Sequence, residues 1–324
     1  MPHVIDRLHP LLFRKEVYVK KKKTSAVRKA RRKGEIFYHG MVLPGLVFVI
    51  IFDYIPMIGI IMAFQNYVPA KGLFGSKWVG LKHFRHLLKL PDIGEILRNT
   101  VYISLGKLLW TTLLSIAFAI LLNEIRHKHF KKIVQTTVYL PHFFSWVILA
   151  SIVRNLFSYD GLVNAIIQSM GGNPVNYLGS TAIFPNLMIG THVWKEFGYS
   201  SIVFLAAITA VDPGLHEAAA IDGASWWQRT WHVTLPGMLP IIILNGAMGL
   251  TGILSAGFDQ IYNLYSPIVY ETADVLDTYV YRVGLIDRQY SFGSAVSLIR
   301  SIVGMVLLLS ANWASKRFTD RKIF

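Results

Sequence analysis

Residues 230–258 read TWHVTLPGMLPIIILNGAMGLTGILSAGF and contain no Asp, Glu, Lys or Arg. A helix that crosses a bilayer needs about 20 consecutive, mostly apolar residues, because its backbone must satisfy its own hydrogen bonds in lipid. This stretch is long and apolar enough to hold one such helix. It therefore predicts an integral membrane protein.

Five further stretches meet the same requirement. They cover residues 38–64, 100–123, 133–153, 182–211 and 292–314. Together with the first stretch they predict an all-α fold, a polytopic bundle of six membrane-spanning helices.

The composition of the whole chain agrees with this class. Of 324 residues, 53% are hydrophobic and only 16% are charged, and the mean hydropathy is +0.44. A soluble domain is typically about 25% charged, so an ordinary soluble enzyme is excluded. The absence of cysteine excludes disulfide scaffolds, thiol nucleophiles and cysteine metal sites.

The formal charge of +15 is concentrated at the N-terminus, where residues 1–36 hold 12 Lys and Arg. With this tail inside the cell, the inner segments carry 21 basic residues and the outer segments nine. The positive-inside rule then places both termini in the cytoplasm, although the first outer segment, 65–99, holds six of the nine. We interpret the tail as a juxtamembrane segment rather than a nucleic-acid-binding module, because it runs directly into the apolar stretch at 38–64 instead of belonging to a folded basic module.

Charged residues also interrupt the predicted spans. A charge near the bilayer centre costs a few kcal/mol, so each of them is expected to face protein or water. They either belong to a translocation pathway or gate, or pair structurally between helices. Lys195 and Glu196 are neighbours that point about 100° apart on a helix, so we do not expect them simply to neutralise each other. The interrupting residues are Asp53, Lys107, Lys195, Glu196 and Arg300.

The connection at 211–240, VDPGLHEAAAIDGASWWQRTWHVTLPGMLP, is predicted to lie in the cytoplasm. Asp212 followed by Pro213 is a helix-start signal, so a helix is predicted over 215–221. Gly223 then indicates a stop or a turn with positive φ. A second short amphipathic stretch follows, and Pro236 and Pro240 are expected to mark the start of the fifth span.

The same connection is unusual in its charge. No Lys or Arg occurs from residue 196 to residue 228, whereas a loop lying on anionic lipid would be basic. An acidic, alanine-rich helix suits insertion into a groove on another protein, since alanines permit close approach. The alternative is an ordinary loop helix that covers the bundle.

The string EAAAIDGA at 217–224, with Leu235 and Pro236 downstream, resembles the EAA loop of membrane subunits of binding-protein-dependent ABC importers. The continuation AIDGA is similar to that of the sugar-importer branch. The similarity extends over roughly residues 38–318. Other strings that resemble the oligosaccharide and polysaccharide permeases of this branch are VLPG at 42–45, GFDQIYNLY at 257–265, DTYVYRVGL at 277–285 and YSFGSAVSLIRSIVG at 290–304.

This resemblance implies a six-helix permease of the type I importer kind, which forms half of a pore in the cytoplasmic (inner) membrane of a bacterium. It implies a homologous second permease, two cytoplasmic ATPase subunits, an extracytoplasmic solute-binding protein and a sugar substrate. ATP and Mg²⁺ are expected on the ATPases and no cofactor on this chain, which is not itself an enzyme; the sequence contains no G-x-x-x-x-G-K-[ST] phosphate loop. The residues expected to couple to the ATPase are Glu217, Ala218, Ala219, Asp222, Gly223, Leu235 and Pro236.

The predicted organisation is a basic cytoplasmic tail (1–36), a six-span permease domain (37–318) containing the coupling loop (211–238), and a short cytoplasmic C-terminal tail (319–324).

In the related permeases the sugar pocket draws on the middle of spans four to six. The candidate pathway residues there are Trp194, Glu196, Tyr199, Asn245, Thr251, Ser255 and Asp259.

Each of these residues has an alternative role in packing or in hydrogen bonds between helices. Lys107, Lys195 and Arg300 suit an anionic sugar, and an importer of alginate is one candidate within the branch. A different class, an ion-coupled secondary transporter using Asp53 and Glu196, explains the buried charges but not the EAA loop. A non-transporting membrane scaffold explains only the hydropathy.

Overall fold

The computed structural model describes residues 37–319. The basic tail at 1–36 and residues 320–324 lie outside the described part, so the predictions made for both tails stay predictions.

The chain divides into two units, Met1–Ile61 and Met62–Phe324. Helix α1 (Phe37–Phe64) begins in the first unit. It contains a π-helical turn at Ile50–Tyr54 and ends in a 3₁₀ stretch at Ile58–Phe64.

The second unit is helical, apart from a two-residue hairpin in which strand β1 (Gln65–Asn66) pairs antiparallel with strand β2 (Lys77–Trp78). Single turns of helix lie at Pro69–Lys71, Gly72–Gly75, Leu140–Phe143, Pro267–Val269, Tyr270–Ala273 and Arg282–Ile286. The longer helices are α2 (Lys82–Leu87), α3 (Ile93–Glu124), α4 (Lys128–Tyr139), α5 (Trp146–Phe157), α6 (Leu162–Ser169), α7 (Phe184–Thr209), α8 (Pro213–Ile221), α9 (Trp226–Thr251), α10 (Phe258–Leu264), α11 (Leu276–Tyr281) and α12 (Tyr290–Thr319).

Five helical stretches of the described chain are long and apolar enough to cross a membrane, and a bent pair raises the number to six. The pair is α7 with α8, which meet at an angle of 69°. The predicted all-α membrane bundle is confirmed. The five stretches are Phe37–Phe64, Ile93–Glu124, Trp146–Ser169, Trp226–Thr251 and Tyr290–Ser310.

The third predicted span, 133–153, is wrong in its extent. The chain breaks there between α4 and α5, and the apolar stretch long enough to cross the membrane is Trp146–Ser169. Two local features explain the break. Pro141 lacks the N–H that would continue the helix, and the Ser145 hydroxyl accepts a hydrogen bond from the Ile148 amide and so starts a new helix.

The largest buried cluster joins α3, α5, α7 and α10. Ile103, Val153, Met188 and Ile261 are all at most 2% exposed there. Most other apolar side chains of the long helices are exposed in the isolated chain, as expected for surfaces that face lipid or other subunits. The buried cluster holds together α3 and α7, which carry Lys107 and Glu196 of the candidate site.

Candidate translocation pathway and loop helix

Helix α8 begins as the sequence predicts. The Asp212 carboxylate accepts a hydrogen bond from the Gly214 amide (2.9 Å), and Pro213 occupies the first helical position. The helix ends at Ile221, and Gly223 follows with φ of +79°. The predicted helix and the predicted positive-φ turn are both confirmed.

The surface of α8 is open to solvent in the isolated chain. Glu217, Ala218 and Asp222 are exposed, and so are the apolar side chains Leu215 (54%) and Ile221 (87%). Only Ala219 of the predicted coupling residues on this helix is half-buried. The alternative of a loop helix that covers its own bundle is therefore disfavoured, because such a helix would bury its apolar side chains.

The second end of the loop, where it enters the bundle, differs from the prediction. Ser225 caps α9, which starts at Trp226 and passes through a π-helical turn at Thr230–Thr234. Leu235 and Pro236 consequently lie inside a long helix, and the prolines do not mark the start of the span. A β-carbon at Gly237 would lie 2.6 Å from a Val211 methyl group, so α9 and the end of α7 approach closely at this point.

Glu196 is the centre of a charged cluster at the break between α4 and α5. Its carboxylate contacts the Nδ1 atom of His142 (2.7 Å) and the ammonium of Lys195 (2.9 Å). Lys195 also donates to the His142 carbonyl (2.8 Å), and the His142 ring stacks on Tyr199 with centroids 3.8 Å apart. The expectation that Lys195 and Glu196 do not neutralise each other is wrong, because the flexible lysine bends toward its neighbour where both meet His142.

The seven predicted pathway residues do not form one site. Glu196 and Asn245 line a cavity of about 240 Å³ together with Lys107, Thr111 and His192. This cavity combines cationic, anionic and amide groups within reach of one small ligand.

Thr251 and Ser255 line a second cavity of about 240 Å³ that also includes Arg300. The Ser255 hydroxyl donates to Asp277 (3.3 Å), and Arg300 forms an ion pair with the same carboxylate. Asp259 is exposed on α10 and lines neither cavity.

Trp194 lies elsewhere, in an apolar cleft of about 690 Å³ between α3 and α7. Residues two apart on a helix point about 200° apart, which explains why Trp194 and Glu196 face different cavities. The polar contact in this cleft is the hydrogen bond from the Tyr102 hydroxyl to Asn186 (2.8 Å). Trp194 is therefore separated from the polar cavities of the candidate pathway.

Residues 111–323 match the family described as the binding-protein-dependent transport system inner membrane component. The chain belongs to this family. It is 40% identical over 315 residues to the polygalacturonan/rhamnogalacturonan transport system permease protein YteP of Bacillus subtilis (strain 168), with 97% of this chain and 96% of that protein covered. Protein LplB of the same organism is 36% identical, over 91% of this chain and 93% of its own length.

Solved structures agree with these relatives. A crystal structure of a bacterial ABC transporter involved in the import of the acidic polysaccharide alginate matches with a TM-score of 0.82 and 38% identity, covering 89% of this chain and 97% of the other. A second structure, of a bacterial alginate ABC transporter in complex with an alginate pentasaccharide-bound periplasmic protein, matches with a TM-score of 0.82 and 37% identity, covering 90% and 97%. The predicted resemblance to sugar-importer permeases is confirmed.

Family membership makes this permease a multi-pass inner-membrane transport component, and its relative YteP is named as a transport system permease protein. The ion-coupled secondary transporter is therefore disfavoured. Asp53, the second acidic residue on which that alternative depended, is exposed in α1 of the isolated chain.

The other four intramembrane charges of this permease have partners that the sequence did not reveal. Lys107, 5% exposed, donates to the Ala256 carbonyl (2.6 Å) and to the Gln260 side chain. Gln260 in turn donates to the Met188 carbonyl and to Thr191, both at 2.8 Å. Lys107, Glu196 and Arg300 are therefore paired and also line the cavities, while Lys195 is paired beside Glu196.

Sequence reasoning also missed an aromatic cluster in the segment between α9 and α12. Phe258, Tyr262 and Tyr281 form a triangle with ring centroids 4.9–5.0 Å apart. Tyr265 contacts Tyr270 at 4.9 Å, and burial together with the neighbouring Tyr270 raises the pKa of Tyr265, so its hydroxyl stays protonated. The tyrosine-rich strings at 257–265 and 277–285 were the available signal, but only the fold brings them together.

Proposed function

We propose that this permease forms half of the translocation pathway for an oligo- or polysaccharide in an ATP-driven importer and couples to cytoplasmic ATPase subunits through α8. The observation that carries the proposal is the exposed, capped α8 with its Glu217 and Ile221 open to a partner. The match of the EAA pattern to this helix supports the coupling role. ATP and Mg²⁺ are assigned to the ATPases and no cofactor to this chain.

We further propose the partners that the pathway requires. The polar cavities beside Glu196 and Ser255 are open at the surface of one chain, which supports completion of the pathway by a homologous second permease. Two ATPases below and an extracytoplasmic solute-binding protein above complete the importer. The excess of Lys and Arg in the inner segments supports the assignment of both termini to the cytoplasm.

We infer that the saccharide is acidic. The relatives include a polygalacturonan permease and an alginate transporter, whose substrates carry uronate groups. In this chain, Lys107 and Arg300 supply basic groups to the two cavities, while the side chains of His192, Asn245 and Thr111 suit sugar hydroxyls. The aromatic cluster around Tyr262 provides rings of the kind on which sugars stack.

Reconstitution tests this function. The chain assembled with its second permease, ATPases and solute-binding protein is expected to take up an oligogalacturonate or alginate oligomer into proteoliposomes only with ATP inside. The chain alone is expected to transport nothing and hydrolyse no ATP. ATP hydrolysis by the purified chain, or uptake without the ATPases, would contradict the proposal; preferential uptake of a neutral sugar such as lactose would contradict only its acidic substrate.

Replacing Glu196 by glutamine is expected to lower uptake by about tenfold, since a charge-assisted hydrogen bond contributes roughly 1.5–3 kcal/mol. The change releases both His142 and Lys195, and the Tyr199 ring loses the fixed support of His142. Initial uptake rates in proteoliposomes measure the effect. The matched control is Glu124→Gln, an exposed glutamate at the end of α3 away from the cavities, which should transport normally. Equal rates in both variants would remove Glu196 from the pathway.

A further inference from the structure

Residues 65–89, which follow α1, are held together by several hydrogen bonds. They present one exposed surface to which the proposed transport function assigns no role. The Val79 amide donates to the Phe64 carbonyl (2.8 Å), and the Ser76 hydroxyl joins the Val68 amide to the Gly72 carbonyl. The His83 ring bonds the Gln65 carbonyl at 3.0 Å, and burial lowers the pKa of His83, so the neutral ring donates this bond. Helix α2 is thereby fixed against the β1–β2 hairpin.

Four basic side chains share the open face of α2 and its following turn. Lys82, Arg85, His86 and Lys89 have the spacing i, i+3, i+4 and i+7, which places them on one side of a helix, and all four are exposed. They line a concave surface of about 730 Å³ that includes no acidic residue. Within residues 37–319, none of them has a carboxylate at ion-pair distance.

Large apolar side chains flank this basic face and are just as exposed. Leu81 and Leu88, which immediately precede and follow α2, are 55% and 78% exposed. On the hairpin, Trp78 is 61% exposed, and Phe74 at its tip is 99% exposed. Such residues need an apolar environment directly beside the charges.

The basic face and its exposed apolar flanks together favour one kind of ligand. A saccharide needs hydrogen-bond acceptors as well as donors, but the charged groups of this face are cationic. The segment also connects α1, which ends at Phe64, to α3, which begins at Ile93, so both of its ends are tied to membrane-spanning helices. A basic face flanked by leucine, phenylalanine and tryptophan next to a bilayer is the pattern of an interfacial anchor on anionic lipid.

We propose that residues 71–89 bind the headgroups of anionic phospholipids, with Lys82, Arg85 and Lys89 at the phosphates and Phe74, Leu81 and Leu88 among the acyl chains. This anchor contains five of the six basic residues that the predicted outer segment 65–99 carries against the positive-inside trend. The proposal concerns a lipid contact and not transport, so its failure would leave the proposed function untouched.

The chain contains no cysteine, so Phe74→Cys carries a single nitroxide label. The labelled full chain is placed in vesicles of phosphatidylcholine or of an equimolar mixture of phosphatidylcholine and phosphatidylglycerol. We expect the label in the anionic vesicles to collide more often with dissolved oxygen than with a water-soluble nickel chelate. In the triple variant Lys82→Gln, Arg85→Gln, Lys89→Gln we expect the ratio of oxygen collisions to nickel-chelate collisions to fall several-fold.

Two controls keep the test decisive. The variant Arg126→Gln, Lys128→Gln, Arg98→Gln removes the same charge outside the anchor and should leave the ratio unchanged. A label at the exposed Leu109 of α3 should stay in the acyl region in every variant, which verifies insertion. A Phe74 label that is water-exposed in both lipid compositions, or one that the triple variant does not affect, would overturn the proposal. Protection that appears only after a solute-binding protein is added would overturn it too and assign the surface to that protein.

Discussion

Replacing Glu217 by lysine is expected to weaken association with the ATPase about 30-fold or more, because losing one partner of a desolvated charge pair costs roughly 2–5 kcal/mol. Glu217 is exposed on α8 and has no ion-pair partner among the described residues, so its charge is available to another subunit. Co-purification of the ATPase with the permease measures the loss.

Glu124→Lys makes the same charge change at an exposed position on α3 and should leave association intact.

The companion variant Gly223→Val separates binding from coupling. No atom lies within 4 Å of a β-carbon at Gly223, so its effect would come from the strained φ of +79° alone. We expect that complex to form but to lose stimulation of ATP hydrolysis by loaded binding protein. Normal association of the Glu217 variant and normal stimulation of the Gly223 variant would remove α8 from the coupling mechanism.

Replacing Gly198 by valine is expected to destabilise the permease by about 3 kcal/mol, since overpacking a closely packed site typically costs 1–3 kcal/mol and sometimes more. A β-carbon at buried Gly198 would lie 2.5 Å from the Val138 carbonyl oxygen and 2.6 Å from a Val138 methyl group. Helices α4 and α7 would have to separate. Because His142 follows α4 and Glu196 lies on α7, the His142–Glu196 contact would be lost as well.

The thermal midpoint of the purified chain, followed by size-exclusion chromatography after heating, measures this effect. Gly190→Val is the matched control, because Gly190 lies on the same helix and no atom lies within 4 Å of its added β-carbon. We expect its midpoint to stay near that of the unmodified chain. If both variants melted alike, the close approach of α4 and α7 would not be present in the folded protein.

The membrane class could be predicted from the sequence because it depends on local hydropathy. A run such as 230–258 must span lipid or be buried, whichever helices surround it. The start of α8 was also predictable, since Asp212 and Pro213 act on the backbone within one turn. The positive φ of Gly223 is local in the same sense.

The third span shows where local information was insufficient. Residues 133–153 are uniformly uncharged, so hydropathy alone could not distinguish one straight helix from two. The break at 140–145 depends on Pro141 and the Ser145 cap, and it places His142 against Glu196. Hydropathy alone therefore did not identify His142 as a residue of the candidate site.

By itself, the sequence determined that the chain is a bundle of membrane-spanning helices with one acidic, alanine-rich loop helix, because spans and caps follow from neighbouring residues. Only the tertiary structure decided which polar side chains meet. Because of the rotation and packing of the helices, Trp194 lines an apolar cleft, whereas Glu196 lines a cavity with Asn245. Packing also places Lys107 in contact with Gln260, 153 residues away. The rotation of each helix is set by contacts with distant helices, such as Gly198 with Val138, and the sequence of one helix does not contain that information.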